Sequence, residues 1–129
     1  LEPAYARLAA QNRTEEQIRE LYEIIHNEED ASSREIQKIT SLDFEFHLII
    51  AMASGNVVYP LLLNSFRPVY TNLSSQFFHD PRVTAAVHKY HRNTARAIES
   101  GDGKKAASVM KELLRHGETH LRAMIDRDM

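Results

Sequence analysis

Apolar residues recur along this chain at steps of three and four, and no stretch alternates apolar and polar positions as a half-buried strand would. Leu1, Ala4, Tyr5, Leu8 and Ala9 mark a first helix running to Asn12, with Pro3 tolerable in its opening turn. Ile18, Leu21, Tyr22 and Ile25 mark a second, opened by the capping-box pattern Thr14-Glu15-Glu16-Gln17 and ending near Asn27. Glu28-Glu29-Asp30 reads as an acidic, solvated connection, and Ser32 with Glu35 as another capping box. The clearest stripe follows: Ile36, Ile39, Asp43, Phe46, Ile50 and Ala53 on one helix, stopped at Gly55, with Asn56 able to cap the next. Val57 to Phe78 is helical again, with Pro60 in its first turn and a kink or break expected at Arg67-Pro68. Asp80-Pro81 restarts the chain, and Val83, Val87, His91, Thr94 and Ile98 line one face of the helix it opens. Gly101-Asp102 ends that helix and caps a last one running from Gly103 towards Arg127. The pattern predicts an all-α, antiparallel bundle of six to seven helices.

Length and composition keep that picture and narrow the function. At 129 residues the chain is expected to be one domain, residues 1–129, with room for a sizeable core. A net charge of −2 gives this segment no basic surface with which to grip nucleic acid through its phosphates. The absence of cysteine excludes disulfides and thiolate metal sites and is compatible with a reducing, cytoplasmic setting. No run approaches the roughly 20 apolar residues of a membrane span, so no membrane partner is expected. The chain opens inside what reads as a helix, so it is expected to be a piece of something longer.

Histidine carries the candidate chemistry, with seven copies. Asp43 interrupts an apolar stripe, and His47 stands one turn on, pointing the same way. A carboxylate on a core face is costly unless it is paired or coordinated. The pair is explained either by a hydrogen bond buried between helices or by joint ligation of a cation. His91 lies on an inward stripe of its own, so that Asp43, His47 and His91 could converge inside the bundle. An oxygen and nitrogen set without sulfur suits zinc, nickel, manganese or iron. His116 and His120, four apart on the last helix, are either a further ligand or polar residues facing solvent, whereas His26, His79 and His88 read as surface residues. Phe44, Phe46, Phe66, Tyr70, Phe77 and Phe78 are core aromatics or the walls of an apolar cavity. Asn64, Arg67 and Tyr70, spaced by three, could turn a polar and cationic edge into that cavity, with Arg67 the natural partner of an effector carboxylate or phosphate. No Gly-rich phosphate loop, zincin motif or nucleophile elbow is present.

Several motifs together resemble a known family. Leu1-Glu2-Pro3-Ala4, Leu8-Ala9-Ala10, Asp43-x3-His47, Ala53-Ser54-Gly55-Asn56 and the run His91…Ala97-Ile98…Gly101-Asp102…Ala106…Met110 resemble the effector (FCD) domain of the FadR subfamily of GntR regulators. The resemblance implies a helical ligand-sensing and dimerisation domain, joined in the whole protein to a winged-helix DNA-binding domain that is not in this sequence. It implies a divalent metal, zinc, nickel or manganese, on Asp43, His47 and His91. The family's fourth ligand would fall at Leu113, which cannot coordinate, and His116 one turn further on is the candidate for a shifted ligand. A second likeness, in Tyr59-Pro60-Leu61, Leu63-Asn64, Val69-Tyr70-Thr71 and Tyr90-His91, is to the fatty-acid-sensing branch, which implies an acyl-CoA effector and no metal; His47 departs from that branch.

The expected function is therefore that of a non-enzymatic, homodimeric sensor, taking a small carboxylate or an acyl-CoA and acting on DNA only through the attached domain. Two other classes compete with it. A metal-dependent helical-bundle enzyme needs an open coordination position and a nearby general base; a purely structural dimerisation domain needs neither.

Overall fold

The computed structural model describes residues 2–128, so Leu1 of the first predicted stripe lies outside the described residues. Seven helices and no strand are present among them: α1 (Glu2–Asn12), α2 (Glu15–Asp30), α3 (Ile36–Ala53), α4 (Val58–Ser65), α5 (Arg67–Phe77), α6 (Pro81–Glu99) and α7 (Gly103–Asp128). The all-α expectation holds.

Local chemistry places most boundaries where the pattern puts them. The Thr14 hydroxyl accepts from the Gln17 amide at 3.1 Å while the Gln17 side chain accepts from the Thr14 amide at 2.9 Å, which is a complete capping box on α2. Gly55 takes a φ of +80° just past α3, a conformation that disfavours any side chain, and Asn12 of α1 donates to the Ser54 carbonyl at 2.8 Å to satisfy that helix end. Asn56 accepts from the Val58 amide at 3.0 Å, Asp80 from the Arg82 amide at 2.9 Å, and Asp102 from the Lys105 amide at 3.0 Å, each at the start of a helix. The break expected near Pro68 falls at Phe66, and Pro68 sits in the first turn of α5, where its missing N–H costs nothing.

Two expectations fail. Glu28-Glu29-Asp30 is not a connection: α2 continues through it to Asp30, and Glu28 is only 2% exposed. Glu28 falls on the inward stripe of Leu21, Ile24 and Ile25, where a partner from α6 meets it. The Ser32–Glu35 box is half formed. The Glu35 carboxylate accepts from the Ser32 amide at 3.0 Å, but the Ser32 hydroxyl accepts from Arg34 at 3.3 Å, and the helix proper begins at Ile36. Those residues make a turn ahead of α3, with Glu35 itself at the helix entrance.

α3 is the central element, packed on α1, α2, α4 and α5, while α6 packs on α7, α2 and α1, and α7 lies against α1 and α6. The three-residue connection between α6 and α7 turns the chain back so that α7 packs along α6. The predicted stripes are the core: Ile39, Phe46, Ile50 and Ala53 of α3 and Val83, Val87, Thr94 and Ile98 of α6 are buried. Ala4 is the exception on α1 and faces solvent. The same stripes carry Asp43 and His91 into the space between α3 and α6, which is what builds the site.

Candidate metal and effector site

Asp43 and His47 project from successive turns of α3, and His91 comes from α6 to meet them. The Asp43 Oδ1 atom lies 3.1 Å from His91 Nε2 and 3.4 Å from His47 Nε2. One donor atom from each of the three residues falls within 4.8 Å of the others, and all three side chains are buried. The Phe46 ring stacks on the His91 imidazole, 4.1 Å between centroids, and so holds its plane. Tyr70 of α5 closes the fourth side, donating to Asp43 Oδ2 at 3.2 Å.

A second layer of carboxylates backs the imidazoles. Glu28 Oε1 is 2.7 Å from His91 Nδ1, and Glu2 Oε1 is 3.3 Å from His47 Nδ1 while also accepting from the Tyr5 hydroxyl at 2.6 Å. The result is a buried chain of alternating acids and imidazoles, Glu2–His47–Asp43–His91–Glu28, with His88 at the far end, 4.0 Å from Glu28. A carboxylate behind the far nitrogen of a histidine, as Glu28 is for His91, is the usual means of fixing its tautomer and raising its basicity as a ligand; the Glu2–His47 contact is electrostatic, without a hydrogen bond.

The electrostatics follow from burial opposed by charge. Burial disfavours the His91 imidazolium, but the Glu28 carboxylate, with Asp43 beside it, overcomes that and pushes the group up to about 9. His47 is likewise opposed by burial and raised by Glu2 and Asp43. Burial would raise Asp43, yet the His47 and His91 charges hold it well below the usual carboxylate range. With Nδ1 of His91 engaged by Glu28, its buried Nε2 has no hydrogen-bond partner, although a carboxylate oxygen stands 3.1 Å away, off the direction a ring N–H would take. An unprotonated Nε2 and the carboxylate oxygen are both electron-rich, and a cation at this position, imidazolium proton or metal, removes their repulsion. The donor set, one carboxylate oxygen and two imidazole nitrogens, fits a divalent cation of the zinc, nickel or manganese kind.

From this cluster a cavity of about 180 Å³ extends between α5, α6 and α7. Glu2, Asp43, His47 and Tyr70 form its polar end, and the remaining wall is mainly Leu73, Phe77, Phe78, Val83, Val87 and Leu113. His116 lines the same cavity from α7 but is not among the residues whose donor atoms come together. Its ring lies against Tyr90 and His120, at 5.9 and 4.9 Å between centroids, and burial together with the nearby His120 lowers its pKa.

The other predicted effector residues separate. Tyr70 reaches the cavity; Asn64 is exposed on α4, and Arg67 faces the outside of α5, 3.7 Å from Glu45 and with its guanidinium 4.6 Å over the Phe44 ring. The break at Phe66 resets the helical register, so a spacing of three no longer means a shared face. Of the candidate cavity aromatics, Phe44 and Phe46 are core, Phe66 is exposed, and Tyr70, Phe77 and Phe78 line the wall. His88, read as a surface residue, has a side chain only 12% exposed and faces Glu28.

Residues 1–116 match the family model described as the FCD domain. The chain belongs to the FCD domain family. A solved structure titled Streptococcus agalactiae GntR has the same fold as this FCD domain, with a TM-score of 0.71 and 27% identity, covering 95% of this chain and 54% of that one. Among curated proteins, the chain is 28% identical over 74 residues to a fatty acid metabolism regulator protein of Klebsiella pneumoniae subsp. pneumoniae, covering 54% of this chain and 31% of the relative. It is 27% identical over 77 residues to one of Erwinia tasmaniensis, covering 60% and 31%. The matched region thus spans about a third of the length of these relatives. This FCD domain is an effector-binding module of the GntR, FadR-type regulators, and the curated relatives it resembles are named as regulator proteins. No helix among the described residues is long and apolar enough to cross a membrane.

Proposed function

We propose that this domain senses a small organic acid through a divalent cation held by Asp43, His47 and His91, and that occupancy changes how two attached winged-helix domains are presented to DNA in the cytoplasm. The observation that carries the reading is the convergence of three buried donor atoms within 4.8 Å, each imidazole backed by its own carboxylate. When bound, the cation would supply a positive charge with open coordination positions for an effector carboxylate. The surrounding acids favour that arrangement, because Glu2, Asp43 and Glu28 would otherwise leave the pocket's polar end negative. For the ligand to act as a signal it must bind one arrangement of the dimer better than the other, since equal affinity shifts nothing. Protein purified without added metal is expected to carry stoichiometric zinc, nickel or manganese by elemental analysis, and Asp43→Ala and His47→Ala to lose it. Metal-free wild-type protein, with effector binding untouched in both variants, would refute the proposal.

A whole acyl-CoA is a poorer fit than a small acid. The cavity, at about 180 Å³, is below the roughly 300–1,000 Å³ of pockets for drug-sized ligands.

The homodimer is supported by one surface. Val57, Val58, Leu61, Phe66 and Val69 of the α4–α5 arm are all more than half exposed, the largest values being 69% for Val57 and 61% for Leu61 and Val69. Exposed apolar residues gathered on one arm in this way call for a partner, and a second copy of the chain supplies the same face by two-fold symmetry. Leu61→Asp combined with Val69→Asp is expected to leave the helix content intact and give a monomer by sedimentation. A dimer that survives both charges would place the interface elsewhere.

A further inference from the structure

The walls of the cavity say what kind of acid fits. Glu2, Asp43, His47 and Tyr70 gather at one end, and the remainder is lined mainly by leucine, phenylalanine and valine. Among the described residues, no lysine or arginine lines the cavity. A second carboxylate, or a phosphate, away from that cluster would be buried against Leu73, Phe77, Phe78 and Val83 with no lysine or arginine among the described lining residues to pair with it, which is strongly unfavourable. The other polar lining groups are Ser74 and His116, and burial and the neighbouring His120 hold His116 towards its uncharged form. At the near end, Glu2 and Asp43 repel a free carboxylate, so the carboxylate can enter only beside a bound cation. The space of about 180 Å³ equals about six water-sized units at roughly 30 Å³ each.

We infer that the effector is a monocarboxylate of about six carbons in all, with an unbranched or lightly branched apolar tail, bound with its head at the cation and its tail along the wall of α5, α6 and α7. The inference rests on the effector reading above. It separates this site from one built for hydroxy acids or polycarboxylates, whose extra polar groups need donors along the wall. Tail length is read by how far the chain reaches between Phe77, Phe78 and Leu113 before the cavity is full.

Isothermal titration of the zinc-loaded full-length chain with acetate, butanoate, hexanoate, octanoate and hexanedioate tests it. Affinity should rise about fourfold per added methylene, level off near hexanoate to octanoate, and be at least about tenfold weaker for hexanedioate than for hexanoate because of its unpaired second carboxylate. Chelated protein should bind none of them. Acetate binding as tightly as hexanoate, or hexanedioate binding more tightly, overturns the tail while leaving the effector reading in place. No binding of any carboxylate to the zinc-loaded chain overturns both. Leu114→Arg adds a cation at a wall position that is already 41% exposed and so tolerates charge; it should reverse the order of hexanoate and hexanedioate. An unchanged order in a folded variant would mean that the tail does not lie in this cavity.

Discussion

Replacing Glu28 by alanine is expected to destabilise the domain by about 3–5 kcal/mol, the usual cost of breaking a buried charge pair from one side. Glu28 is the one carboxylate at His91 Nδ1 among the described residues, 2.7 Å away, and both side chains are buried. Without it a buried imidazole keeps an unpaired N–H and loses the charge that favours its protonated form. Against a typical domain stability of about 5–15 kcal/mol, that is enough to shift the urea midpoint far down. Metal affinity should fall about 10–100-fold at the same time, because Glu28 orients the ligand nitrogen from behind. Glu28→Gln keeps an acceptor of the same shape and should recover most of the stability but not all of the affinity. Urea unfolding and chelator competition read the two effects separately. An alanine variant as stable as wild type would mean that the Glu28–His91 contact contributes nothing to the fold.

The second large effect is a stability profile whose basic limb metal reverses. His91 is raised from 6.5 to about 9 in the fold, so it contributes stability that is present in full below pH 6.5 and disappears as pH climbs through 9. At about 1.4 kcal/mol per unit, the contribution is of the order of 3 kcal/mol, and His47, shifted the same way, adds to it. Asp43, held below its ordinary value of 3.8, contributes stability that is present above that value and is lost as pH falls beneath it. Metal-free protein should therefore be most stable between about pH 4 and 6.5 and melt progressively earlier towards pH 9. A divalent cation needs unprotonated imidazoles, so its stabilisation grows over the same interval in which the proton's is lost. Melting curves from pH 4 to 9.5, in chelator and in excess zinc, should diverge as pH rises. Parallel curves would show that the cation does not compete with protons at His91 and His47.

Both effects depend on residues of unequal visibility in the sequence. Asp43, His47 and His91 were legible because a helical period of 3.6 puts each on an apolar stripe, and a polar residue on such a stripe must be satisfied by something. Glu28 obeys the same rule, three residues after Ile25 and four after Ile24, but it sits in a run of three acids that reads as solvated. What buries it is a histidine 63 residues away, and no local signal announces that meeting. Glu2 is similar: its role comes from α1 lying against α3, which brings its carboxylate to His47. Asn64 and Arg67 fail in the opposite sense. Their spacing was sound for one helix, and the break at Phe66 made it two.

The chain by itself determined a bundle of six to seven helices, most of their ends, and most of the residues that turn inward, because caps, glycine turns and proline positions act over three or four residues and periodicity records which face is apolar. Only the tertiary structure decided which inward polar groups meet, that Glu28 and Glu2 stand behind the imidazoles, that His116 lines the cavity outside the three-residue cluster, and how much apolar space opens beside it. Those are distances between helices, set by how whole faces pack, and a one-dimensional period carries the direction of a side chain but not the identity of what it finds there.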